Sequence, residues 1–111
     1  MAETRCKDFG GHLVSVHSPK ENKFVSDLML GSHDVWMGGS DLVEGEWQWS
    51  DGTAFGYTKW WHAEPNNDGG EDCVSLRIGE TWNDQPCDRK NKFICKIMFA
   101  KISFPKNGIR Q

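Results

Sequence analysis

The chain contains no apolar run approaching the roughly 18–20 residues of a membrane span, and Met1–Gly11 holds no apolar segment of the secretory-leader kind. Basic charge is not in excess, with 13 Lys and Arg against 16 Asp and Glu. No two cysteines stand in a C-x-x-C spacing, which argues against a zinc ribbon or a thioredoxin-type motif. Internal repeats and low-complexity tracts are missing, so solenoid, collagen-like and coiled-coil classes are excluded. Apolar residues make up only 37% of 111 residues, the length of a single domain. What is present instead is aromatic: six of the residues are Trp. The core is therefore expected to be small and built from large rings, each burying about 150–250 Å².

The formal net charge of −3 hides an asymmetry. Residues 41–88 carry eleven acids and only two bases, Lys59 and Arg77, whereas the rest carries eleven bases and five acids. A dense acidic block argues against nucleic acid as a partner, because a phosphate-binding groove needs the opposite sign. Such acids are either solvated loop charges or ligands gathered around a cation. Cys6, Cys73, Cys87 and Cys95 are an even set in a small domain, which points to two disulfides and an oxidising compartment. The count alone allows three pairings, and four buried thiols are the alternative.

The local patterns predict an α+β domain. Residues 1–9 read as a short helix stopped by Gly10-Gly11, and residues 12–17 as a strand. Ser18-Pro19-Lys20-Glu21 supplies an N-cap, a Pro in the first turn and a Glu three residues after the cap. The second helix follows, with Phe24, Val25, Leu28 and Met29 as its apolar face and Gly31 as its end. Strands are expected at 35–39, 46–50, 73–76, 81–82 and 92–96, with a turn at Asp51-Gly52. Trp36, Trp47, Trp49 and Trp82 fall in strand patterns and read as core, while Trp60 and Trp61 flank a loop. That loop, residues 53–72, has almost no periodicity and holds Pro, Asn and Gly; a loop so long is usually functional or disordered.

Oxygen donors concentrate in and after this loop. Glu64 and Asn66 flank Pro65, Glu71 follows Gly69-Gly70, and Asn83-Asp84 follows Trp82. Three carboxylates and two amide carbonyls form a hard donor set suited to Ca²⁺, which takes 6–8 oxygens. His62 stands alone and reads as polar surface, so no transition-metal set is present.

Taken together, Gly10-Gly11-His12-Leu13-Val14 after Cys6, Trp36-Met37-Gly38-Gly39, Trp47-Gln48-Trp49, Glu64-Pro65-Asn66, Glu71-Asp72-Cys73, Trp82-Asn83-Asp84 and Phe93-Ile94-Cys95 resemble a C-type lectin-like carbohydrate-recognition domain. The resemblance covers residues 3–96 and implies the C-type lectin-like fold. It also implies the pairings Cys6–Cys95 and Cys73–Cys87. It implies a principal calcium held by Glu64, Asn66, Glu71, Asn83 and Asp84, with the sugar bound directly to that ion. Two vicinal hydroxyls would donate to carboxylate ligands and accept from Asn amides, and Asp68 would touch the sugar rim. The chemistry agrees, since Asn offers a carbonyl and an NH₂ whereas Glu only accepts. The Glu-Pro-Asn order resembles the type that selects mannose, N-acetylglucosamine and fucose; the galactose-type Gln-Pro-Asp is absent.

An auxiliary calcium site would draw on Asp41, Glu44, Asn67, Glu71 and Asp72. The Asp41–Glu44 spacing is one residue shorter than the common one, and an Asn stands at 67 where some relatives have Asp. The alternative for Asp41 and Glu44 is a solvated turn. One calcium is thus expected, with two or more open. The expected partners are glycans carrying those sugars, outside the cell or on a receptor ectodomain. A calcium-stabilised protein- or ice-binding module on the same fold is the runner-up. Catalysis is not expected, because no nucleophile–base pair stands out beside carboxylates explained as a metal shell.

Members of the family usually begin with a strand that pairs with the last one. Here a helix comes almost at once, so residues 1–96 read as the domain without its usual first strand. Residues 97–111 read as an extension, with Ile97, Phe99, Ile102 and Phe104 at strand-like positions. It would cover the open edge, within the chain or by exchange in a homo-oligomer, or else be a disordered tail.

Overall fold

Helix α1 (Ala2–Asp8) ends in a turn in which Gly10 takes a φ of 87°, and the chain passes directly into β1 (Gly11–Leu13). The structure is a computed structural model and describes residues 2–42, 46–61 and 72–97. Helix α2 (Pro19–Asp27) follows, then β2 (Asp34–Ser40), β3 (Gln48–Trp49), β4 (Cys73–Arg77), β5 (Thr81–Gln85), β6 (Lys92–Phe93) and β7 (Cys95–Ile97).

The start of α2 is capped as the sequence predicts. Ser18 Oγ accepts the Glu21 N–H at 3.1 Å, and Glu21 reaches back to the His17 N–H at 2.7 Å, one residue beyond the cap itself. Its end differs from the expectation. Regular helix stops at Asp27, and a chain of turns carries Leu30 and Gly31 through positive φ. The expected apolar face is also split. Val25 and Met29 are buried, but Phe24 and Leu28 lie 65% and 46% exposed. A helix resting on one sheet edge buries only the two rows that face the sheet.

Two sheets result. In the larger, β2 lies between β3 and β4, β5 pairs with β4, and β6 runs parallel to β2. The smaller is the antiparallel pair β1–β7. The strand expected over 92–96 is thus two strands that change sheet at Ile94. Likewise, the strand expected over 12–17 ends at Leu13; the Val14 N–H adds one bond to the Ile94 carbonyl at 2.9 Å, and Val14 and Val16 continue into the core.

The pairing of β2 with β4 shifts register between Trp36 and Ser40. The irregularity falls at Gly38-Gly39, where the backbone runs close to its neighbours. A Cβ on Gly38 would sit 2.8 Å from the Leu13 carbonyl oxygen, and one on Gly39 2.7 Å from Val74 Cγ2. This bulge sets the chain beyond Ser40 beside the residue preceding β4, so that the Asp41 N–H donates to the Asp72 carbonyl at 3.0 Å.

The core is aromatic at its centre. Trp82 is fully buried and meets Trp49, Tyr57, Trp60 and Phe55 edge-on at centroid distances of 5.6–6.1 Å. Trp36 is buried in a second cluster with Cys6 and Leu13, whereas Trp47 is only partly buried against the main one. Two disulfides close the fold. Cys6–Cys95 joins α1 to β7 with a Cα–Cα distance of 5.5 Å, and Cys73–Cys87 joins β4 to the turn after β5 at 5.1 Å.

Candidate functional site

Strand β5 presents Asn83 and Asp84, and the core fixes where they stand. Trp82 directly precedes them, and its Nε1 donates to Asn22 Oδ1 at 2.8 Å. Asn22 in turn donates to the Glu80 carbonyl at 2.8 Å, so this buried amide of α2 holds both ends of the turn into β5. On the sheet, Val74 stands opposite Asp84 and Ser75 opposite Asn83. The strand runs to Gln85, three residues beyond the 81–82 expected, and carries both donors within the ladder. Asp84 is completely buried, and Asn83 is half-buried.

The chain entering and leaving residues 62–71 is tied to β5 on both sides. On entry, the Trp82 N–H donates to the Lys59 carbonyl at 2.9 Å, and the Trp61 N–H donates to the Trp82 carbonyl at 2.8 Å. Trp60 packs on the core beneath, and Trp61 is 43% exposed with the Arg77 guanidinium 3.7 Å above its ring. On exit, Asp72 leads into Cys73, which pairs with Gln85 and is bridged to Cys87. Both ends of the segment therefore flank the strand that carries Asn83 and Asp84.

Three of the acids expected to be ligands are described and lie near one another. Burial, the Asp72 side chain beside it and the more distant Asp84 push the Asp41 carboxyl up to about 6. Asp41 Oδ1 is buried and has no hydrogen-bond partner among the described residues. A buried acceptor left over amid like charges is the arrangement a cation relieves. The donors are oxygen only, as Ca²⁺ requires. Among the described residues, no group of three or more His, Cys, Asp or Glu is placed to hold a metal by itself. Glu64, Asn66, Asn67, Asp68 and Glu71, with Glu44, lie outside the described residues. So do Pro65 and the lone His62.

Sequence patterns gave no hint of Asn22; a polar residue one turn into a helix looks like surface. Two further networks join residues too far apart in sequence for any local pattern to pair them. Glu3 of α1 accepts from the Leu13 N–H at 2.9 Å and Ser50 Oγ at 2.9 Å and lies 2.6 Å from His12 Nδ1. Ser15 Oγ accepts from Lys96 Nζ at 2.9 Å and donates to Asp51, which also holds the Thr53 hydroxyl and N–H. His17 Nε2 lies near Ser15 and Thr53, but Asp51 does not touch its ring. The array is a clamp between β7 and the turn after β3 and lacks the oriented base of a hydrolytic triad.

The family description for the lectin C-type domain matches residues 1–97. This chain belongs to the C-type lectin domain family. The domain is 48% identical over 109 residues to the low affinity immunoglobulin epsilon Fc receptor of Mus musculus, covering 95% of this chain and 33% of the receptor. Among solved structures, it matches the cow C-type carbohydrate-recognition domain of CD23, crystallised in the presence of a GlcNAc2Man3 oligosaccharide. That match has a TM-score of 0.79 and 36% identity, over 85% of this chain and 74% of that one. It matches a calcium-independent type II antifreeze protein nearly as well, with a TM-score of 0.76 and 36% identity, over 85% and 73%. The C-type lectin fold, with two helices and antiparallel strands, is thus shared with a carbohydrate-recognition domain and an antifreeze protein. The chain spans between 33% and 61% of the length of the curated relatives it matches. These relatives are lectins, a receptor and ice-structuring proteins rather than enzymes. No helix among the described residues is long and apolar enough to cross a membrane.

Proposed function

We propose that this C-type lectin domain binds glycans in a calcium-dependent manner, outside the cell, and selects mannose-, N-acetylglucosamine- or fucose-type sugars. The observation that carries the reading is that Lys59 and Trp61 on one side, and Cys73 on the other, are tied to β5 on both flanks of Asn83 and Asp84. Glu64, Asn66 and Glu71, which lie in the intervening stretch of sequence, would join Asn83 and Asp84 as the principal ligands. Asp41 and Asp72, with Glu44, Asn67 and Glu71, would hold an auxiliary ion, and the buried Asp41 oxygen, without a hydrogen-bond partner among the described residues, supports this. A bound calcium would supply a Lewis-acidic centre with room for two neighbouring hydroxyls of a hexose.

The protein's own side chains supply the selectivity. Glu64 accepts a hydroxyl proton, and the Asn66 amide donates to a hydroxyl oxygen. Exchanging the two would invert which hydroxyl pattern fits. Asp68 would meet the sugar at its rim. No acid–base or nucleophilic step is required of any of these groups, so the domain binds and does not catalyse. Few contacts to a small sugar give weak single-site affinity, and useful avidity needs several domains together.

The likeness to a calcium-independent antifreeze protein favours one other reading, a protein- or ice-binding module on this fold. Retention on mannose-agarose in millimolar calcium, with release by a chelator, tests between them. The lectin reading expects retention, release and a shift of the Glu64→Gln/Asn66→Asp protein from mannose to galactose. Passage of the unaltered protein through the mannose column, with no hexose retaining it, favours the other module.

A further inference from the structure

Strand β5 has β4 on one edge and residues 59–61 on the other, where the Trp61 N–H donates to the Trp82 carbonyl. Side chains alternate across a sheet. Trp82 and Asp84 are buried in the core, as are Leu76 and Val74 opposite them. Thr81 and Asn83, with Arg77 and Ser75 opposite, therefore face the other side. Trp60 packs against Trp82 in the core, with ring centroids 5.7 Å apart, so Trp61 turns away from it.

The Arg77 guanidinium lies 3.7 Å from the centroid of the Trp61 ring. Arg77 stands on β4 and Trp61 beyond β5, so the contact crosses the outer face of β5. Asn83 is on that face, about 7 Å along the strand from Thr81, the partner of Arg77. An aromatic–guanidinium pair thus sits beside a residue of the candidate calcium shell.

The pair is suited to a ligand in two ways. Trp61 stays 43% exposed although Arg77 covers one face of its ring. The negative face of an indole attracts polarised C–H groups, and a pyranose ring presents a row of them. Arg77 holds the indole in place, which lowers the ordering cost of binding. Among the described residues the ion pairs are Glu3–His12 and Lys23–Asp27, so no described carboxylate claims the Arg77 N–H groups. They are donors for sugar oxygens at the rim of the ring.

We propose that Trp61 and Arg77 form a second sugar subsite, which packs the sugar adjoining the one held at Asn83. The subsite rests on the calcium-dependent glycan reading above and adds to it a preference for oligosaccharides over single sugars.

Titration of the full-length chain in millimolar calcium, with methyl α-mannoside and with α-linked mannobioses, tests the proposal. The unaltered chain should bind at least one mannobiose about tenfold more tightly than the monosaccharide, the worth of one stacked ring. Trp61→Ala should keep the monosaccharide and calcium affinities and lose most of that gain. Arg77→Gln should lose part of it. No gain in the unaltered chain, or a gain that Trp61→Ala retains, would overturn the subsite and leave the calcium reading standing. Failure of the unaltered chain to bind the monosaccharide or any mannobiose would overturn both. If Trp61→Ala does not fold, the unaltered chain with mannobiose is the readout. There, proton contacts between the Trp61 indole and the second sugar support the subsite, and their absence refutes it.

Discussion

Glu3 shows how much a single charged residue does where a short helix meets a short strand. Burial pushes its carboxyl up, but the Leu13 N–H, His12 and the Ser50 hydroxyl outweigh that and leave it below the ordinary value of 4.5. A carboxylate depressed in the folded state contributes stability that is present above its unfolded value. That stability is lost as pH falls through the folded value. Glu3→Gln should therefore cost about 1.5–3 kcal/mol near neutral pH, the worth of hydrogen bonds to a charged group. The deficit should shrink as pH drops below about 4.5, and the acid limb of the stability curve should become shallower. Urea denaturation from pH 7 to pH 2.5 on both proteins measures this. A deficit that persists unchanged to the lowest pH would mean that packing, not charge, is what Glu3 supplies. Asp51 is depressed for the same kind of reason, by Ser15 and Thr53 against burial, and it adds to the acid limb in both proteins.

At the scale of elements, the two disulfides do different work. Cys6–Cys95 closes 89 residues and Cys73–Cys87 closes 14. Chain entropy gives the longer bridge about 4.5 kcal/mol and the shorter about 3 kcal/mol. Cys6→Ala/Cys95→Ala should thus lower the unfolding free energy more than Cys73→Ala/Cys87→Ala. Calcium affinity should follow the opposite order, because Cys73 fixes the exit of the loop beside Asp72. Calorimetry for melting and calcium titration for binding check the two orders, and the same order in both would refute this division. Elements set by short-range chemistry were legible in the sequence: the Ser18 cap, the Asp51-Gly52 turn, the apolar run that buries Trp36 and the alternation that buries Trp49. Elements set by tertiary pairing were not. Nothing in Lys92-Phe93-Ile94-Cys95 says that the first pair joins β2 in parallel and the last residue joins β1. Phe24 and Leu28 fit a helical face as well as Val25 does, and only the position of the sheet tells them apart. Of the candidate site, Asn83 and Asp84 were legible as oxygen donors after a strand Trp. Asn22, which positions them, was not, because its partners lie 58 and 60 residues away.

For the whole molecule, the acidic half of the sequence sets a conflict between folding and binding. Asp41, Asp72 and Asp84 are brought near one another by the Gly38-Gly39 bulge and the β4–β5 ladder, and Asp41 Oδ1 is buried with no hydrogen-bond partner among the described residues. Without a cation the folded state bears that repulsion; the unfolded chain, with its charges apart, does not. A ligand that binds only the folded state stabilises it by RT ln(1 + [L]/Kd), about 2.7 kcal/mol at one hundred times Kd. Chelation should lower the melting temperature, and calcium should restore it. Asp41→Asn separates the two effects. It removes a buried like charge, so the metal-free variant should melt above the metal-free parent. It also removes a ligand charge, so the rise with calcium should be smaller, and the two melting curves should cross as calcium increases. Magnesium serves as the control, since its demand for near-ideal octahedral coordination suits this donor set less well. A variant that melts below its parent at every calcium concentration would show that Asp41 is a structural acceptor, and the auxiliary site would then lose its main support.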